Sequence, residues 1–306
     1  MRAFTLDGFD TQPSLRELPE PEIAANELLV RVHASSVNPV DAFIAAGYLQ
    51  QYSEYEFPVT LGRDFAGIVE RVGSEVTGYA TGDEVSGYVR HASPNVHRGS
   101  WVELIAVPED VEVAAKPRSV DFALAGAASL AGVSAIDAFD GLDVRDGTTV
   151  LVVGAAGGVG SFFVQLAASA GAHLVAPALP EDEEYLRELG VAEIVPRDGD
   201  VTAALSETHP DGFDAILDVV SQEPDTSPLK PGGRLASTLG AAGEGRDRIN
   251  IVAEPTPANL QRLAELLDAG TLHVHIQRSY PFEEAAEALG ALQATHTQGK
   301  LGVSIA

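Results

Sequence analysis

The stretch Val150–Gly160, with the sequence VLVVGAAGGVG, constrains the fold of this chain more than any other feature. An apolar run typical of a β-strand breaks into a turn of four glycines and two alanines, and a helix-like segment follows. A strand, a glycine turn and a helix in this order begin a βαβ unit, whose helix N-terminus binds the pyrophosphate of a dinucleotide. The sequence therefore predicts a cofactor site, in preference to a plain strand–helix turn. Its predicted residues are Gly154, Ala155, Ala156, Gly157, Gly158, Val159 and Gly160.

The turn departs from the usual G-x-G-x-x-G fingerprint at one position. When Gly157 and Gly160 are aligned with the second and third glycines of that fingerprint, Ala155 stands at the first. Because glycine tolerates unusual dihedrals and leaves room for a close ligand, we expect Gly157, Gly158 and Gly160 to make the tight turn and admit the pyrophosphate. Alanine at the first position costs some backbone freedom but adds no bulky side chain.

Strand-like and helix-like segments alternate around this turn, from about residue 121. The predicted strands are Thr149–Val153, His173–Ala176, Glu193–Val195, Asp214–Val219 and Gly233–Thr238. The predicted helices are Val159–Ala170, Asp182–Leu189 and Val201–Glu207. This alternation predicts an α/β fold with a doubly wound parallel sheet.

Residues 1 to about 120 have a β-rich pattern, which predicts an antiparallel barrel or sandwich. Its short apolar runs include Leu28–Val32, Ala66–Val72 and Val102–Val107. Near the C-terminus we expect helices at Pro257–Ala269 and Phe282–Leu292 and a final strand at Gly302–Ile305. These last pieces are able to return to the first domain.

Composition excludes several classes of function. A formal net charge of −26 argues against a nucleic-acid partner, which would require clustered Lys and Arg; adaptation to salt or a proteome bias is the other explanation of the acidity. A chain of 306 residues predicts two domains. Because no run of about 18 apolar residues occurs, we expect no membrane partner and a cytoplasmic location. The absence of cysteine excludes disulfides, thiolate nucleophiles and cysteine-ligated zinc.

Several motifs in a fixed order carry a resemblance to a known family. They are ELLVRVHASSVNPVDAF, PVTLGRDFAGIVERVGSEV, GDEV, GGVGSFFVQLAASAGA, FDAILDVV, LKPGGRLASTLG and GKLGVSI. The chain resembles a zinc-independent, quinone oxidoreductase-like member of the medium-chain dehydrogenase/reductase superfamily, in which GAAGGVG replaces the stricter fingerprint. The resemblance implies a GroES-like β-barrel catalytic domain over residues 1–120, completed by 276–306, and a Rossmann domain over residues 121–275. It also implies a homodimer joined through Rossmann-domain strands.

The resemblance also locates the catalytic zinc position of zinc-dependent relatives. Asn38 and Arg63 stand where those relatives carry a Cys and a His ligand. Because a guanidinium repels a cation and an amide is a poor zinc ligand, we expect no metal there. Nor do His33, His91 and His97 have ligand-like spacing. Without a Lewis acid, the acceptor must be activated already, as a quinone or an α,β-unsaturated carbonyl is.

Few side chains are candidates for catalysis. We predict Asn38 as a donor toward the substrate oxygen or the nicotinamide, the alternative being an Asx-turn before Pro39. Tyr48 is the second candidate, as a donor of a hydrogen bond or proton, against ordinary packing. The family often has a Tyr where this chain has Phe43 and an Arg near Ala45, and these departures bring a standard quinone pocket into question.

Other motif positions have a structural alternative. We expect Asp41 and Asp64 to serve in ion pairs, with Arg63 pairing Asp64, more readily than as bases. Lys300 either approaches the site or is solvated. By resemblance, Ser134 lies near the nicotinamide, and Leu239 and Gly240 follow the strand that lines its other face.

The choice between NADPH and NADH depends on the strand after the glycine turn. The acid that binds the ribose hydroxyls in NAD enzymes is missing from Leu174–Ala178, and Arg197 is able to pair with a 2′-phosphate; its alternative is a surface pair with Asp198. Four acids at Glu181–Glu184 would repel that phosphate unless they favour the positive end of a helix. We expect NADPH, with NADH possible.

Three functions remain open from the sequence. The first is a zinc-independent NAD(P)H-dependent reductase that transfers hydride to a quinone or an α,β-unsaturated carbonyl. The second is an enoyl-thioester reductase, which would need a basic patch that the scarcity of lysine disfavours. The third is a non-catalytic NAD(P)H-binding sensor or structural protein, since a fold does not establish an activity.

Overall fold

The computed structural model describes residues 1–90, 96–294 and 296–306. The strands are β1 (Arg2–Leu6), β2 (Ser14–Glu17), β3 (Glu27–Val37), β4 (Val59–Thr60), β5 (Asp64–Val72), β6 (Glu84–Tyr88), β7 (Leu104–Pro108), β8 (Val113–Ala115), β9 (Thr149–Val153), β10 (His173–Ala178), β11 (Glu193–Pro196), β12 (Phe213–Asp218), β13 (Leu229–Ser237), β14 (Arg248–Asn250), β15 (Ile276–Pro281) and β16 (Lys300–Ser304). The helices are α1 (Pro39–Ala45), α2 (Phe122–Leu142), α3 (Gly158–Ser169), α4 (Glu183–Leu189), α5 (Val201–Thr208), α6 (Pro257–Asp268) and α7 (Ala285–Ala294), with 3₁₀ turns at Pro180–Asp182 and Phe282–Glu284.

The chain divides into two compact units. The first unit contains Met1–Leu130, Glu254–Ala269 and Val274–Ala306, and the second contains Ala131–Ala253 and Gly270–His273. These limits differ from the predicted domains 1–120, 121–275 and 276–306, chiefly because α6 lies in the first unit. The Glu112 amide donates to the Pro255 carbonyl at 2.8 Å, and the Ser119 amide donates to Asp268 Oδ1 at 2.8 Å, so the segments flanking α6 are bonded to the first unit.

The described residues of the first unit form two sheets. Three strands pair in the order β2-β1-β4, and seven strands form a second sheet in which β15-β16-β3-β5-β6-β8 are neighbours and β7 also pairs with β3. The core packs around Trp101, Phe65 and Phe282, all 2% exposed or less. Strand β16 pairs antiparallel with β3 through Leu301 opposite Val37. This pairing brings the end of the chain against the end of β3.

The second unit contains one six-stranded sheet in the order β11-β10-β9-β12-β13-β14, and every pairing in it is parallel. In this doubly wound order, strands β9 to β11 extend the sheet toward one edge and strands β12 to β14 extend it toward the other, so the strand order switches between β9 and β12. The predicted α/β fold class is therefore confirmed. All five predicted strands of this region are present, Thr149–Val153 with its predicted limits and the other four with shifts at their ends. The short edge strand β14 was not predicted.

Helices α1 and α2 were also not predicted. Helix α2 is 21 residues long and rich in alanine, and its apolar residues give no one-sided period because so much of it is buried. By length and hydropathy it is the one helix among the described residues that is able to cross a membrane, with 67% of the window buried. A core helix passes the same test, and Asp137 and Asp140 interrupt its apolar run.

Candidate functional site

The glycine turn follows β9 at the carboxyl end of the parallel sheet. Gly154 has φ +89°, and a Cβ on it would lie 2.6 Å from Val220 and 2.7 Å from Val219 side-chain atoms. A Cβ on Gly160 would lie 2.1 Å from the Gly154 carbonyl oxygen. These two positions therefore require glycine for the chain's own packing.

The roles of the individual glycines differ from those predicted. The left-handed turn residue is Gly154, whereas Gly157 has φ −76° and begins the helix as its N-cap. A Cβ on Gly157 would meet no protein atom nearer than 3.6 Å. Ala155 and Ala156 are buried, at 1% and 6% exposure. The alanine at the fingerprint's first position is tolerated because the preceding residue makes the turn.

The start of α3 is suited to an anion. The N-cap Gly157 offers no side-chain acceptor, so the first amides of this twelve-residue helix, beginning at Gly158, Val159 and Gly160, lack intrahelical partners. The open space beside Gly157 leaves their approach free of a Cβ. A diphosphate in this position would be bound by backbone amides and the helix dipole. The residues present thus fit the pyrophosphate of a nicotinamide dinucleotide.

Two buried polar residues that sequence reasoning missed shape the neighbouring strand ends. Asp218, at the end of β12, accepts hydrogen bonds from the amides of Val220 and Ser221 at 2.9 and 2.8 Å. Ser237, at the end of β13, accepts from the Leu239 amide at 3.1 Å. These bonds hold the turns at the carboxyl edge of the sheet, where ligands of such folds bind. A polar residue closing an apolar strand was the available signal.

The other predicted cofactor residues lie at different places in the second unit. Ser134 is on α2 and is 7% exposed. Leu239 and Gly240 follow β13, and Gly240 has φ +71°. Arg197 is exposed directly after β11, and its amide donates to the Ala178 carbonyl at the end of β10 at 3.0 Å. No ion pair of Arg197 with Asp198 is present in the described part of the chain.

The acids after β10 lie in helical turns, in agreement with the alternative that they favour the positive end of a helix. Glu181 and Asp182 are in the 3₁₀ turn, and Glu183 and Glu184 are in the first turn of α4. Asp182 is buried, and Glu183 accepts from Arg187 one turn later at 3.2 Å. These carboxylates thus stabilise the positive end of the helix.

In the first unit, Ser36, Asn38, Asp64 and Lys300 form a buried polar cluster. Lys300 Nζ donates to Asn38 Oδ1 at 2.5 Å and to the Val37 carbonyl at 3.2 Å, and it lies 3.4 Å from Asp64 Oδ2. Lys300 is only 5% exposed, so the solvated alternative is wrong. The pairing of β16 with β3 places this lysine beside the residues that precede α1.

The cluster fixes the orientation of the Asn38 amide. Asn38 Nδ2 donates to Asp64 Oδ2 at 2.8 Å and faces Ser36 Oγ at 3.5 Å, the outer limit of a hydrogen bond. Asp64 also accepts from Ser36 Oγ at 2.6 Å and from the Leu130 amide at 2.7 Å. The Asn38 side chain is therefore held by tertiary partners. Asn38 is the N-cap of α1, in an extended conformation.

A second buried ion pair lies beside this cluster. Arg63 Nε is 3.7 Å from Asp41 Oδ1, and neither side chain is more than 1% exposed. The expected pairing of Arg63 with Asp64 is therefore wrong, because the side chains of successive residues in an extended chain point in opposite directions. Arg63 also donates to the carbonyls of Thr60 and Arg90 at 3.0 and 3.2 Å.

Burial dominates the electrostatics of this pair. Desolvation raises the pKa of Asp41 to about 6, and the Arg63 guanidinium offsets only part of that rise. Burial likewise lowers the pKa of Arg63, with Asp41 acting in the opposite direction. Asp41 Oδ2 accepts the Asn38 amide at 2.8 Å, and Oδ1 accepts the Gly62 amide at 3.0 Å. Asp41 therefore helps to position α1 as well as to balance Arg63.

The residues at the position where zinc-dependent relatives hold their catalytic zinc do not fit a metal ion. Arg63 and Lys300 place two cationic groups there, both buried. Asn38 Oδ1, the ligand atom an amide would offer, already accepts a hydrogen bond from Lys300. A divalent cation would be repelled by both neighbours and would find its amide ligand engaged.

The remaining candidates lie apart from this cluster. Tyr48 is 67% exposed, and its ring centroid is 6.1 Å from that of Phe43. Within the described residues no hydrogen bond or ring contact joins it to the polar cluster. His33 stacks on Phe122 at 4.6 Å, and His97 is exposed. His91 lies outside the described residues.

Comparison with known proteins agrees with this architecture. Residues 24–118 match the alcohol dehydrogenase GroES-like domain, and residues 189–302 match the zinc-binding dehydrogenase family. The chain is 30% identical to the NADPH-dependent alkenal/one oxidoreductase, chloroplastic, of Arabidopsis thaliana, over 97% of this chain and 76% of that protein. It is 32% identical to the 2-methylene-furan-3-one reductase of Solanum lycopersicum, over 92% of this chain and 72% of that protein.

A solved structure extends the likeness to the whole fold. The quinone oxidoreductase from Coxiella burnetii matches with a TM-score of 0.88 and 26% identity, covering 100% of this chain and 99% of that chain. The predicted combination of GroES-like and Rossmann folds is thereby confirmed. The chain belongs to the quinone oxidoreductase-like family of medium-chain dehydrogenases/reductases and is an NAD(P)H oxidoreductase.

Proposed function

We propose that this oxidoreductase uses NADPH to reduce a quinone or an α,β-unsaturated carbonyl, and that it does so without zinc. The observation that carries the proposal is the pair of buried cations, Arg63 and Lys300, at the position where zinc-dependent relatives hold their metal. Without a metal to stabilise an alkoxide, the acceptor has to be one that conjugation already activates. The names of the relatives in Arabidopsis and tomato, an alkenal/one oxidoreductase and a furanone reductase, support the same class.

The second unit supplies the nucleotide contacts. The amides at the start of α3 bind the pyrophosphate, with Gly157 giving backbone access. Arg197 pairs with the 2′-phosphate of NADPH, which its exposed position beside the end of β10 supports. When bound, the nicotinamide supplies the hydride.

The first unit supplies Asn38, whose amide polarises the oxygen of the hydride acceptor. Of the two Asn38 amide protons, one is held firmly by Asp64 at 2.8 Å, while the other faces Ser36 Oγ at only 3.5 Å. That second proton is the one an acceptor oxygen would attract, and Lys300 increases its acidity by binding Oδ1 at 2.5 Å. Tyr48 stays a prediction as a proton donor, because its side chain is exposed and its ring contact among the described residues is with Phe43, outside the polar cluster.

Nucleotide titration followed by acceptor addition tests the proposal. Quenching or enhancement of nicotinamide fluorescence gives Kd for NADPH and NADH, and a small quinone, an enone and an enoyl thioester are then added separately. We expect tighter binding of NADPH and its oxidation by the quinone or the enone. Turnover with the enoyl thioester alone, or binding without turnover of any acceptor, would contradict the proposed substrate class.

Arg197→Gln tests the assignment of the phosphate contact. Loss of one charge-assisted pair, worth about 1.5–3 kcal/mol, should weaken NADPH binding by roughly tenfold or more and leave NADH binding unchanged. Arg187→Gln is the matched control, since this exposed arginine pairs with Glu183 on α4. Equal weakening of both nucleotides by Arg197→Gln, or the same effect in the control, would remove Arg197 from the site.

A further inference from the structure

Three side chains of the second unit meet at the edge of the sheet opposite the glycine turn. His173 is the first residue of β10, Glu193 is the first residue of β11, and His209 is the C-cap of α5 ahead of β12. His173 Nε2 lies 2.6 Å from Glu193 Oε1, and His209 Nε2 lies 3.1 Å from Glu193 Oε2. The amino ends of parallel strands thus bring together two imidazoles and a carboxylate that lie far apart in sequence.

The spacing of these groups suits a metal ion. One ligand atom from each of the three side chains lies within 4.8 Å of the others. Tetrahedral ligands with bonds of about 2.0–2.2 Å lie roughly 3.3–3.6 Å apart, so small side-chain adjustments would suffice. All three side chains are partly exposed, at 43%, 44% and 15%, which gives an ion a path from solvent.

Neighbouring side chains hold these three potential ligands in place, and their chemistry favours particular metal ions. The ring of Phe213 lies 4.9 Å from that of His209 and limits its movement. Glu193 contacts both rings through its two carboxylate oxygens, with Oε1 toward His173 and Oε2 toward His209. Two imidazole nitrogens and one carboxylate select zinc, cobalt or nickel over the oxygen-preferring ions magnesium and calcium.

We propose that His173, Glu193 and His209 bind one divalent first-row transition-metal ion, typified by Zn²⁺, in a structural site remote from catalysis. The ion would join the edge strand β11 to β10 and to the turn before β12. An exposed sheet edge is otherwise prone to fraying and to pairing with other chains. The site differs from the catalytic zinc of relatives, whose position in this chain is in the first unit. Sequence analysis did not indicate this site, because its three residues share no local spacing.

Calorimetric titration of chelator-treated protein with Zn²⁺ tests the site. Excess Mg²⁺ in the buffer occupies sites made only of carboxylates, which an acidic chain offers in number. We expect one Zn²⁺ per chain for the wild type. The substitutions His173→Gln, Glu193→Gln and His209→Gln should each weaken binding by at least about tenfold, since even partners outside the first ligand sphere change affinity by about 10–100-fold.

His273→Gln is the matched control. This histidine is exposed in the same unit and is no part of the group, so its substitution should leave Zn²⁺ affinity unchanged. Co²⁺ absorption gives a second readout, with visible bands that all three ligand variants lose while they still bind NADPH. Absence of Zn²⁺ binding by the wild type, unaltered affinity in the three variants, or loss of binding in the control would overturn the proposal.

Discussion

Replacing Lys300 tests whether the buried polar cluster holds the first unit together. Lys300→Met keeps most of the side-chain length but leaves the Val37 carbonyl and Asn38 Oδ1 without their donor. It also leaves the fully buried Asp64 carboxylate without its cation. Removing one partner of a buried ion pair costs about 3–5 kcal/mol. For a unit of this size, even the lower figure corresponds to a fall in Tm of about 6–12 °C.

The assay is thermal unfolding followed by tryptophan fluorescence. Trp101 is the single tryptophan and is 0% exposed in the core of the first unit, so its emission reports on that unit. Arg71→Met is the matched control within the same unit, because Arg71 pairs with Glu20 while both side chains are about half exposed. A surface pair of this kind is worth about 0–1 kcal/mol.

The double variant Lys300→Met/Asp64→Asn separates charge from packing. It removes the unpaired buried carboxylate, so it should be more stable than additivity of the single losses allows by at least about 0.5 kcal/mol. A Tm for Lys300→Met equal to that of the wild type would refute the reasoning. So would losses in the two single variants that simply add.

Three other results follow from the site. Gly160→Ala should lower Tm, because its Cβ would lie 2.1 Å from the Gly154 carbonyl oxygen. Gly157→Ala, whose Cβ would meet no protein atom nearer than 3.6 Å, should keep the wild-type Tm but lose NADPH affinity. Equal behaviour of the two variants in melting and in NADPH titration would contradict this. Asn38→Ala should lower kcat for a quinone by at least about tenfold, and an unchanged kcat would remove the amide from the mechanism. Since burial raises the pKa of Asp41 to about 6, its folded form binds the proton more tightly than its unfolded form, so the stabilisation is present at low pH and is lost as pH rises toward 6. Urea unfolding across pH 4–7 should therefore show the wild type losing up to about 3 kcal/mol relative to Asp41→Asn over that rise, and a flat difference would contradict the burial argument.

Local pattern was sufficient for the elements of the second unit. Strand Thr149–Val153 was predicted with its observed limits, because an apolar run ends at a glycine that the turn requires. The pattern did not show which glycine makes the turn, since that depends on Val219 and Val220 from the neighbouring strand. Helix α2 was not predicted, because its burial likewise depends on tertiary packing and leaves no one-sided pattern in its sequence.

Contacts across long sequence distances account for what was missed at the site. A lone lysine is ordinarily solvated, and only the pairing of β16 with β3 shows that Lys300 lies against Asn38. The partner of Arg63 was likewise assigned to its sequence neighbour and found instead at Asp41. The expected cytoplasmic location and homodimer stay predictions.

Turnover of metal-free protein tests the central claim most directly. The Glu193→Gln variant, which lacks the carboxylate of the proposed structural site, is treated with a chelator and assayed for NADPH oxidation with a quinone and an enone. We predict turnover equal to that of the untreated variant and no gain on adding Zn²⁺. Activity that disappears on chelation and returns with Zn²⁺ would contradict catalysis without a metal.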